Sequence, residues 1–437
     1  MTVMPDVISG WRKLSTEHSM AKVLISAYAC RPGYGSESGV GWSFATEVAK
    51  THDVWVITRA ENKPVIEAYL ADHPHPRLHF IYQPLPNWVH TFFGADVCKG
   101  IRYYIWQRLI KSVILKKHAE VEFDLAHHVT WVRYWMPSYL AKLGIPFIWG
   151  PLGGGDSAPW SFWRDMGFRG QCAEIIRVTA RWLGEHDPAV AMTGRGATLA
   201  FATTERTLEK LNELCNCPTM LLTEAGLTRA DIDQLAVEEA PVDSKFRFIS
   251  IGRLIHWKGF HFGLRAFAQA GIKNARYVVV GDGPELGRLR ELASELGIED
   301  RVDFCGRLSR EETFVQLKRS HVLVHPSLHD SGGWVCLEAM GAGKPVICLD
   351  LGGPATQVTE REGFKVRAEN PEQAVSDMAK VMQQIYSDDQ LRERMGRSGQ
   401  RRVSKEFLWD EKIRHINDVY ADLLGQRAVG RSVPVAY

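Results

Sequence analysis

Two acidic residues stand eight positions apart in the stretch HPSLHDSGGWVCLEAMGAGKPVICLDLGGP, residues 325–354. They are Asp330 and Glu338, and two glycines, a tryptophan and the expected start of a helix lie between them. The backbone N–H groups at that helix start belong to Ser331, Gly332, Gly333 and Trp334. Such groups bind anions, and carboxylates accept hydrogen bonds from hydroxyl groups. The pattern therefore predicts a ligand with hydroxyls on both sides of its phosphates, which is the shape of a nucleotide sugar.

Two cations follow another predicted strand, in the segment GRLIHWKG at residues 252–259. Arg253 offers a planar fork of donors and Lys258 a point charge, a combination that suits a diphosphate. An isolated Arg and Lys are usually solvated, but the flanking glycines and the position after an apolar strand favour binding. The segment VVGDGPE, residues 279–285, is a similar strand-to-helix turn. It could equally well line the phosphate side of the site or be a structural turn without ligand contact.

Each acid alone has an ordinary structural explanation. Asp330 suits a helix N-cap, and Glu338 suits a helix-surface acid stabilised by the helix dipole. Their combination with Arg253 and Lys258 favours a single binding site.

The elements that would position these residues are short apolar strands alternating with helical stretches, which predicts parallel βα units. Strands are predicted at residues 22–28, 53–58, 78–82, 123–128, 146–149, 198–203, 246–251, 276–281, 302–305, 321–325 and 345–349. A chain of 437 residues exceeds the size of one core, so these two sets predict two doubly wound α/β domains. Ligands of such sheets bind beyond the carboxyl ends of the strands, in a cleft between the domains.

The predicted limits are an extension at residues 1–19, a first domain at 20–235 and a second domain with a helical tail at 236–437. The polar, acidic stretch at residues 224–245 is the predicted linker. Apolar residues form a one-faced stripe in FLWDEKIRHINDVYADLL, near the end of the tail. We expect that helix to pack back on the first domain.

The three motifs of the second half resemble the donor-binding signature of retaining family 4 glycosyltransferases, and the similarity covers residues 22 to about 425. The resemblance implies the GT-B fold, in which two Rossmann-like domains face each other across a cleft. It implies that Arg253 and Lys258 hold the donor diphosphate, that Glu338 binds the ribose hydroxyls and that Asp330 contacts the transferred sugar in catalysis. The family more often has glutamate at the position of Asp330.

The resemblance also assigns candidate residues in the first domain, on the acceptor side. In YACRPGYGSESGVGW, residues 28–42, Gly39 and Gly41 would approach the donor and Glu37 the acceptor. In WGPLGGGDSAP, residues 149–159, Gly153 and Gly154 would line the acceptor side, although a plain surface loop fits equally well.

The segment FDLAHHVTWVRYW ends a predicted strand in two histidines, His127 and His128. The resembling enzymes usually carry an H-x-H arrangement here, with one histidine near the reacting sugar. The second histidine of that arrangement falls on Val129, so both His127 and His128 are candidate catalytic residues. A histidine satisfied within the strand end is the structural alternative.

The expected activity is retaining, metal-independent and cofactor-free transfer of a hexose-type sugar in bacterial polysaccharide or glycolipid assembly. The donor would be a UDP-, GDP- or ADP-linked sugar, and the acceptor a hydroxyl of a sugar or of a lipid-linked molecule. The alternatives are a nucleotide-sugar epimerase, a phosphorylase, and a nucleotide-sugar-binding protein without turnover. A nicotinamide dehydrogenase is disfavoured, because no GxGxxG motif occupies the first βα turn.

Composition excludes several other classes. A formal charge of +2 argues against a surface that binds nucleic acid, and eight cysteines without a CxxC pair indicate reduced thiols. Residues 1–19 lack the features of a signal peptide, and a cytoplasmic location is expected. The aromatic and basic stretch at residues 82–118 is a candidate peripheral contact with the inner face of the membrane. Its structural alternative is an amphipathic helix packed on the first domain with its basic face in solvent.

Overall fold

The computed structural model describes residues 20–94, 98–236 and 244–429, and the predicted extension at residues 1–19 lies outside these ranges. Two parallel sheets organise the described chain. The first contains β1 Lys22–Ala27, β2 Asp53–Arg59, β3 Leu78–Gln83, β4 Leu125–Thr130, β5 Phe147–Leu152, β6 Leu199–Ala202 and β7 Thr219–Leu221. The second contains β8 Phe246–Ile251, β9 Ala275–Val280, β10 Val302–Gly306, β11 Val322–His325, β12 Val346–Leu349 and β13 Gly363–Val366. This arrangement confirms the predicted α/β class with two doubly wound sheets.

Every strand predicted from the sequence overlaps an observed strand, because a parallel sheet covered on both faces requires a run of apolar residues. β7 and β13 were not predicted. Both lie at a sheet edge, have three or four residues and keep partly exposed side chains. Their short, mixed sequences therefore lack the apolar run on which the other predictions depended.

Helices connect the strands and cover the two sheets. Those of the first half are α1 Ser36–Val48, α2 Lys63–Asp72, α3 Asn87–Phe93, α4 Lys99–Val121, α5 Gly167–Glu185, α6 Pro188–Gly196, α7 Glu205–Leu214 and α8 Arg229–Ala236. Those of the second half are α9 Phe260–Ala270, α10 Leu286–Glu295, α11 Arg310–Lys318, α12 Trp334–Gly341, α13 Gly352–Gln357, α14 Pro371–Ser387, α15 Asp389–Arg402 and α16 Trp409–Val429. The predicted linker contains α8, and residues 237–243 lie outside the described ranges.

The order of the strands in each sheet indicates where a ligand-binding cleft opens. It is β3-β2-β1-β4-β5-β6-β7 in the first sheet and β10-β9-β8-β11-β12-β13 in the second. The direction of winding reverses between β1 and β4 and again between β8 and β11. Crevices open at such reversals, beyond the carboxyl ends of the strands, so the loops after these four strands are the ones expected to bind ligands.

The chain crosses between the two halves near its end. Ile413, Ile416 and Tyr420 of α16 are buried in the core of the first sheet, which confirms that the terminal helix packs back on the first domain. In the other direction, Phe162 packs edge-to-face on Phe262 of the second core, with ring centroids 5.3 Å apart. The predicted domain limits at residues 235 and 236 stay a prediction.

Replacing Ile416 by alanine tests the docking of α16. Ile416 is fully buried, and truncating such a side chain costs about 2–5 kcal/mol. We expect a clear drop in the urea midpoint of Ile416→Ala. The matched control is Arg414→Ala on the exposed side of the same helix, which should change stability by less than about 1 kcal/mol. Equal midpoints for Ile416→Ala and the parent would contradict the docking.

Candidate active site

Asp330 is the centre of a bonded network at the end of β11. One carboxylate oxygen accepts a hydrogen bond from the Lys258 ammonium, on the loop after the adjacent β8, and lies 3.2 Å from His325 Nε2. The other accepts from the Gly333 amide at 3.3 Å. Burial alone would raise the pKa of Asp330, but the Lys258 ammonium holds it well below its usual range. Asp330 is therefore an ionised anchor that joins the two loops, and its predicted contact with the sugar stays a prediction.

The loop that Asp330 anchors leads into α12, which begins at Trp334. In the described part of the chain, the amides of Ser331 and Gly332 donate to no protein acceptor. The Trp334 indole N–H and the Gln357 Oε1 atom are also buried without a partner. Since buried polar groups are nearly always paired, these atoms suit a bound polar ligand. The assignment of residues 331–334 to donor binding stays a prediction, and this geometry is compatible with it.

Glu338 lies in the next turn of α12 and forms an ion pair with Arg310 at 3.0 Å. Arg310 opens α11 and also contacts Asp231 at 3.1 Å. Burial raises the pKa of Glu338 to about 7, although Arg310 opposes the rise. A carboxyl group that titrates near neutrality can either donate or accept a hydrogen bond. Together, Glu338 and Arg310 offer both kinds of partner to a pair of hydroxyls.

Arg253 stands at the end of β8 with its side chain exposed, and within the described ranges it forms no ion pair. Gly252 and Gly281 have φ values of 150° and 141°, and a Cβ on Gly281 would collide with the Gly252 carbonyl oxygen. The loops after β8 and β9 therefore pack backbone against backbone. Because Asp330 balances the charge of Lys258, Arg253 supplies the uncompensated positive charge of this loop.

Two glycines of the first domain touch the donor loop directly. A Cβ on Gly153 would lie 2.6 Å from the Ser331 Cβ, and a Cβ on Gly39 would lie 3.5 Å from the Trp334 ring. A side chain at Gly153 would hold the two domains apart. The structure thus brings Gly39 and Gly153 together with residues 331–334 in one closed cleft.

Glu224 completes the cleft and is not among the residues predicted from the sequence. It follows β7, accepts a hydrogen bond from Ser331 Oγ at 2.8 Å and would lie 2.8 Å from a Cβ on Gly332. Burial raises the pKa of Glu224 to about 8, and the carboxylate of Glu37 adds to the rise. A neutral carboxylic acid therefore faces the amides predicted to bind phosphate, where it can donate a hydrogen bond.

Glu37 has a positioning role in this structure. Its Oε1 atom accepts hydrogen bonds from the amides of Trp131 and Val132, at 2.8 and 3.0 Å. Burial raises the pKa of Glu37, and these two bonds oppose the rise. The side chain thereby ties the loop after β4 to the start of α1. Its predicted contact with the acceptor stays a prediction.

Two other predicted glycines contact groups of the first domain, and their predicted roles in binding stay predictions. The Cβ position of Gly41 faces the Ala29 carbonyl and the Thr130 methyl, both in the first domain. A Cβ on Gly154 would meet the Trp135 ring. Both positions are glycine because a neighbouring group occupies the space of a side chain, and neither faces the donor loop.

The two histidines predicted to act in catalysis are buried in this structure, and their catalytic role stays a prediction. β4 is a central strand with every residue buried, and His127 Nδ1 and Nε2 lie 2.7 Å from the Tyr420 hydroxyl and the Gly150 carbonyl oxygen. His128 Nε2 lies 3.2 Å from the Trp131 carbonyl oxygen. Burial lowers the pKa of His127 to about 3 and that of His128 to about 4. Both are neutral and bonded within the first domain, an arrangement compatible with the structural alternative.

Arg310 and Gln357 were also missed. Ser309 and Glu312 form a capping box around the start of α11, and that S-x-x-E signal could have placed Arg310 at a helix N-terminus. Gln357 donates through Nε2 to the Gly332 carbonyl oxygen. For Gln357, as for Glu224, the sequence offers no motif, because the contact forms only when distant segments pack together.

Three further observations concern the whole of the described chain. None of its helices has the length and apolar character needed to cross a bilayer. Its eight cysteines are free thiols. Within the same ranges, no group of three or more His, Cys, Asp or Glu side chains is placed to hold a metal ion.

Comparison with known proteins shows what the second half resembles. Residues 231–402 match the model of the family described as glycosyl transferases group 1. The chain is 32% identical over 206 residues to the lipopolysaccharide core biosynthesis glycosyltransferase LpsD of Rhizobium meliloti, covering 47% of this chain and 54% of that protein. The chain spans about half the length of the curated relatives that it matches.

Solved structures show that the whole described chain has the GT-B fold. Sucrose-phosphate synthase from Thermosynechococcus elongatus superposes with a TM-score of 0.61 at 19% identity, covering 93% of this chain and 100% of that one. HepE of Anabaena in complex with UDP superposes with a TM-score of 0.62 at 16% identity, covering 92% and 100%. At these identities the likeness shows the fold alone.

Glu224 should make the melting temperature depend on pH. The pKa of Glu224 is raised from 4.5 to about 8 in the folded chain. Its contribution to the free energy of unfolding is therefore fully present below pH 4.5 and is lost as the pH rises toward 8. The parent should therefore lose stability relative to Glu224→Gln over this interval, and the difference should level off above it. The control is Glu213→Gln, an exposed acid. Parallel curves for Glu224→Gln and the parent would contradict the assignment.

Proposed function

We propose that the chain is a glycosyltransferase that moves a hexose-type sugar from a nucleoside-diphosphate sugar to a hydroxyl acceptor. The observation that carries the proposal is the meeting of Gly153 and Glu224 with Ser331 in one cleft, with the Glu338–Arg310 pair in the elements that follow. Arg253 stands exposed at the end of β8. Amides and an arginine suit a diphosphate, and carboxyl groups suit the hydroxyls of a ribose and a hexose.

The relatives support a setting for this reaction. The name of LpsD gives it a role in lipopolysaccharide core biosynthesis, and HepE was solved with UDP. We therefore place the chain in bacterial polysaccharide or glycolipid assembly, and UDP-linked sugars are the first donors to test. The acceptor in this proposal is a hydroxyl of a sugar or of a lipid-linked molecule. A cytoplasmic site of action stays a prediction.

The proposed chemistry retains the configuration of the sugar, as in family 4. The bond between the anomeric carbon and the diphosphate oxygen breaks, and its electron pair leaves with the diphosphate. The acceptor oxygen bonds to the anomeric carbon on the same face, and its proton passes to the departing diphosphate. Stabilising the negative charge of the leaving group is then the main catalytic task, which we assign to Arg253 and to the amides at residues 331–334.

The closed cleft suits this chemistry in a further way. Gly153 and Glu224 contact Ser331 from the first domain, so the two domains meet beside the predicted phosphate site. Excluding water limits hydrolysis of the donor and strengthens the interactions that bind the diphosphate. We propose that no metal ion or cofactor takes part.

The membrane contact predicted for residues 82–118 stays a prediction. α4 buries Tyr103, Trp106, Ile110 and Ile114 in the first domain. Its exposed lysines, such as Lys111 and Lys116, face solvent. This is the arrangement described above as the structural alternative.

Replacing Arg253 by alanine tests donor binding. An arginine that bonds a phosphate contributes about 1.5–3 kcal/mol, so Arg253→Ala should weaken binding of the preferred nucleoside diphosphate by about tenfold or more. Calorimetric titration with UDP, GDP and ADP measures it. Arg367→Ala, a similarly exposed arginine in the second half, should bind as the parent does. Glu338→Gln should weaken nucleotide binding as well, and parent-like affinity in both site variants would overturn the assignment.

The configuration of the product tests the proposed mechanism. Proton NMR of the glycoside should show the anomeric configuration of the donor, and the rate should be unchanged in EDTA. An inverted product would contradict retention. A rate lost in EDTA and restored by a divalent cation would contradict metal independence. Isomerised donor without any acceptor product would identify an epimerase instead.

A further inference from the structure

The helix α5, residues Gly167–Glu185, has the reverse of the usual polarity of a surface helix: its apolar face is exposed and charged side chains of its other face bond to the protein. Three of its charged side chains, Glu174, Arg177 and Arg181, bond to other parts of the protein: Glu174 is buried and lies 2.9 Å from His329 of the second domain. Arg177 donates to the Asp156 carbonyl oxygen at 2.8 Å, and Arg181 donates to Ser157 Oγ at 2.7 Å. A surface helix normally buries its apolar stripe and exposes its charges.

The opposite face of α5 is apolar and lies in solvent. Its large side chains are each more than half exposed: Phe168 80%, Ile175 54%, Ile176 55%, Trp182 56% and Leu183 58%. At 3.6 residues per turn, these positions fall within about one third of the helix circumference. A contiguous exposed apolar face of this kind marks an interaction surface.

The charges near this face have one sign. Arg169, next to Phe168 in α5, is exposed, and Arg164 is exposed in the turn that precedes the helix. The acids of the same segment are engaged elsewhere, because Asp165 pairs with Arg265 at 2.6 Å and Glu174 bonds to His329. An apolar helix face that carries Trp, Phe, Ile and Leu with arginines at its edge is the composition of helices that lie in a membrane interface.

We propose that the exposed face of α5 docks on an anionic phospholipid bilayer. A second copy of the chain is the less suitable occupant, because a stable dimer buries about 800 Å² and about 20–30 residues on each side. The face of α5 offers five large side chains, with Thr179 as the polar residue among them. A bilayer can bury a narrow apolar helix face without offering specific hydrogen-bond partners to it.

Docking through this face would also orient the cleft. The inward side of α5 holds residues 155–157, which continue from Gly153 in the acceptor-side loop. The bilayer would then lie on the far side of the helix that supports this loop. Such an arrangement suits an acceptor carried by a lipid. The inference about the acceptor rests on the proposed function, whereas the docking itself does not.

Flotation of the full chain with lipid vesicles tests the docking. The parent should float with vesicles that contain phosphatidylglycerol and much less with pure phosphatidylcholine vesicles. The double variant Ile176→Ser, Trp182→Ser should bind the anionic vesicles about tenfold or more weakly, since it removes two large apolar side chains from the proposed contact. The matched control is Leu221→Ser, an exposed leucine on β7, which should bind as the parent does. Both variants change exposed side chains and should keep the melting temperature of the parent.

Three results would overturn the proposal. The first is parent-like vesicle binding by the double variant, or loss of binding only in Trp88→Ser, Phe92→Ser, which alters the exposed aromatics of residues 82–118. The second is equal binding of the parent to both kinds of vesicle, or to neither. The third is a parent dimer in sedimentation that the double variant abolishes. Nucleotide binding and sugar transfer are measured without vesicles, so failure of either leaves the docking result intact.

Discussion

The rest of the cleft depends on the ion pair between Lys258 and Asp330. It joins the loops after β8 and β11, the two adjacent strands at which the second sheet reverses its direction. A buried carboxylate without a partner is strongly destabilising, so the loop after β11 has to bring Asp330 to the lysine. The same carboxylate also accepts from the Gly333 amide, and this second bond directs the following residues toward the first domain. The amides at residues 331–334 take their orientation from this pair.

Several carboxyl groups lie in a site proposed to bind a diphosphate, and ionised carboxylates would repel that anion. The protonation of two of them removes this conflict. Asp330 is ionised and balanced by Lys258, whereas burial raises the pKa of Glu224 to about 8 and that of Glu338 to about 7. Glu224 contacts Ser331, beside the predicted phosphate amides, where an ionised carboxylate would repel the ligand. In its neutral form it can donate a hydrogen bond instead. The cleft therefore contains several acids of which only Asp330 is held firmly ionised.

The sequence predicts those parts of this protein that are encoded locally. Apolar runs identify the central strands, and the loop motifs after β8 and β11 place Arg253, Lys258 and Asp330 near one another. The motif at His127 and His128 does not say which way their side chains point, and β4, which carries both, is fully buried. Glu224 and Arg310 were missed because their contacts with Ser331 and Glu338 join segments about 107 and 28 residues apart. Such contacts arise from packing, which no local pattern records.

The melting temperature of the chain with UDP-, GDP- and ADP-linked sugars tests the central claim, that this cleft binds a nucleotide sugar, most directly. A ligand that binds the native state raises the melting temperature by mass action. The account predicts a rise that grows with concentration for sugars of at least one of the three bases. An unchanged melting temperature with all three, at concentrations up to the millimolar range, would contradict it.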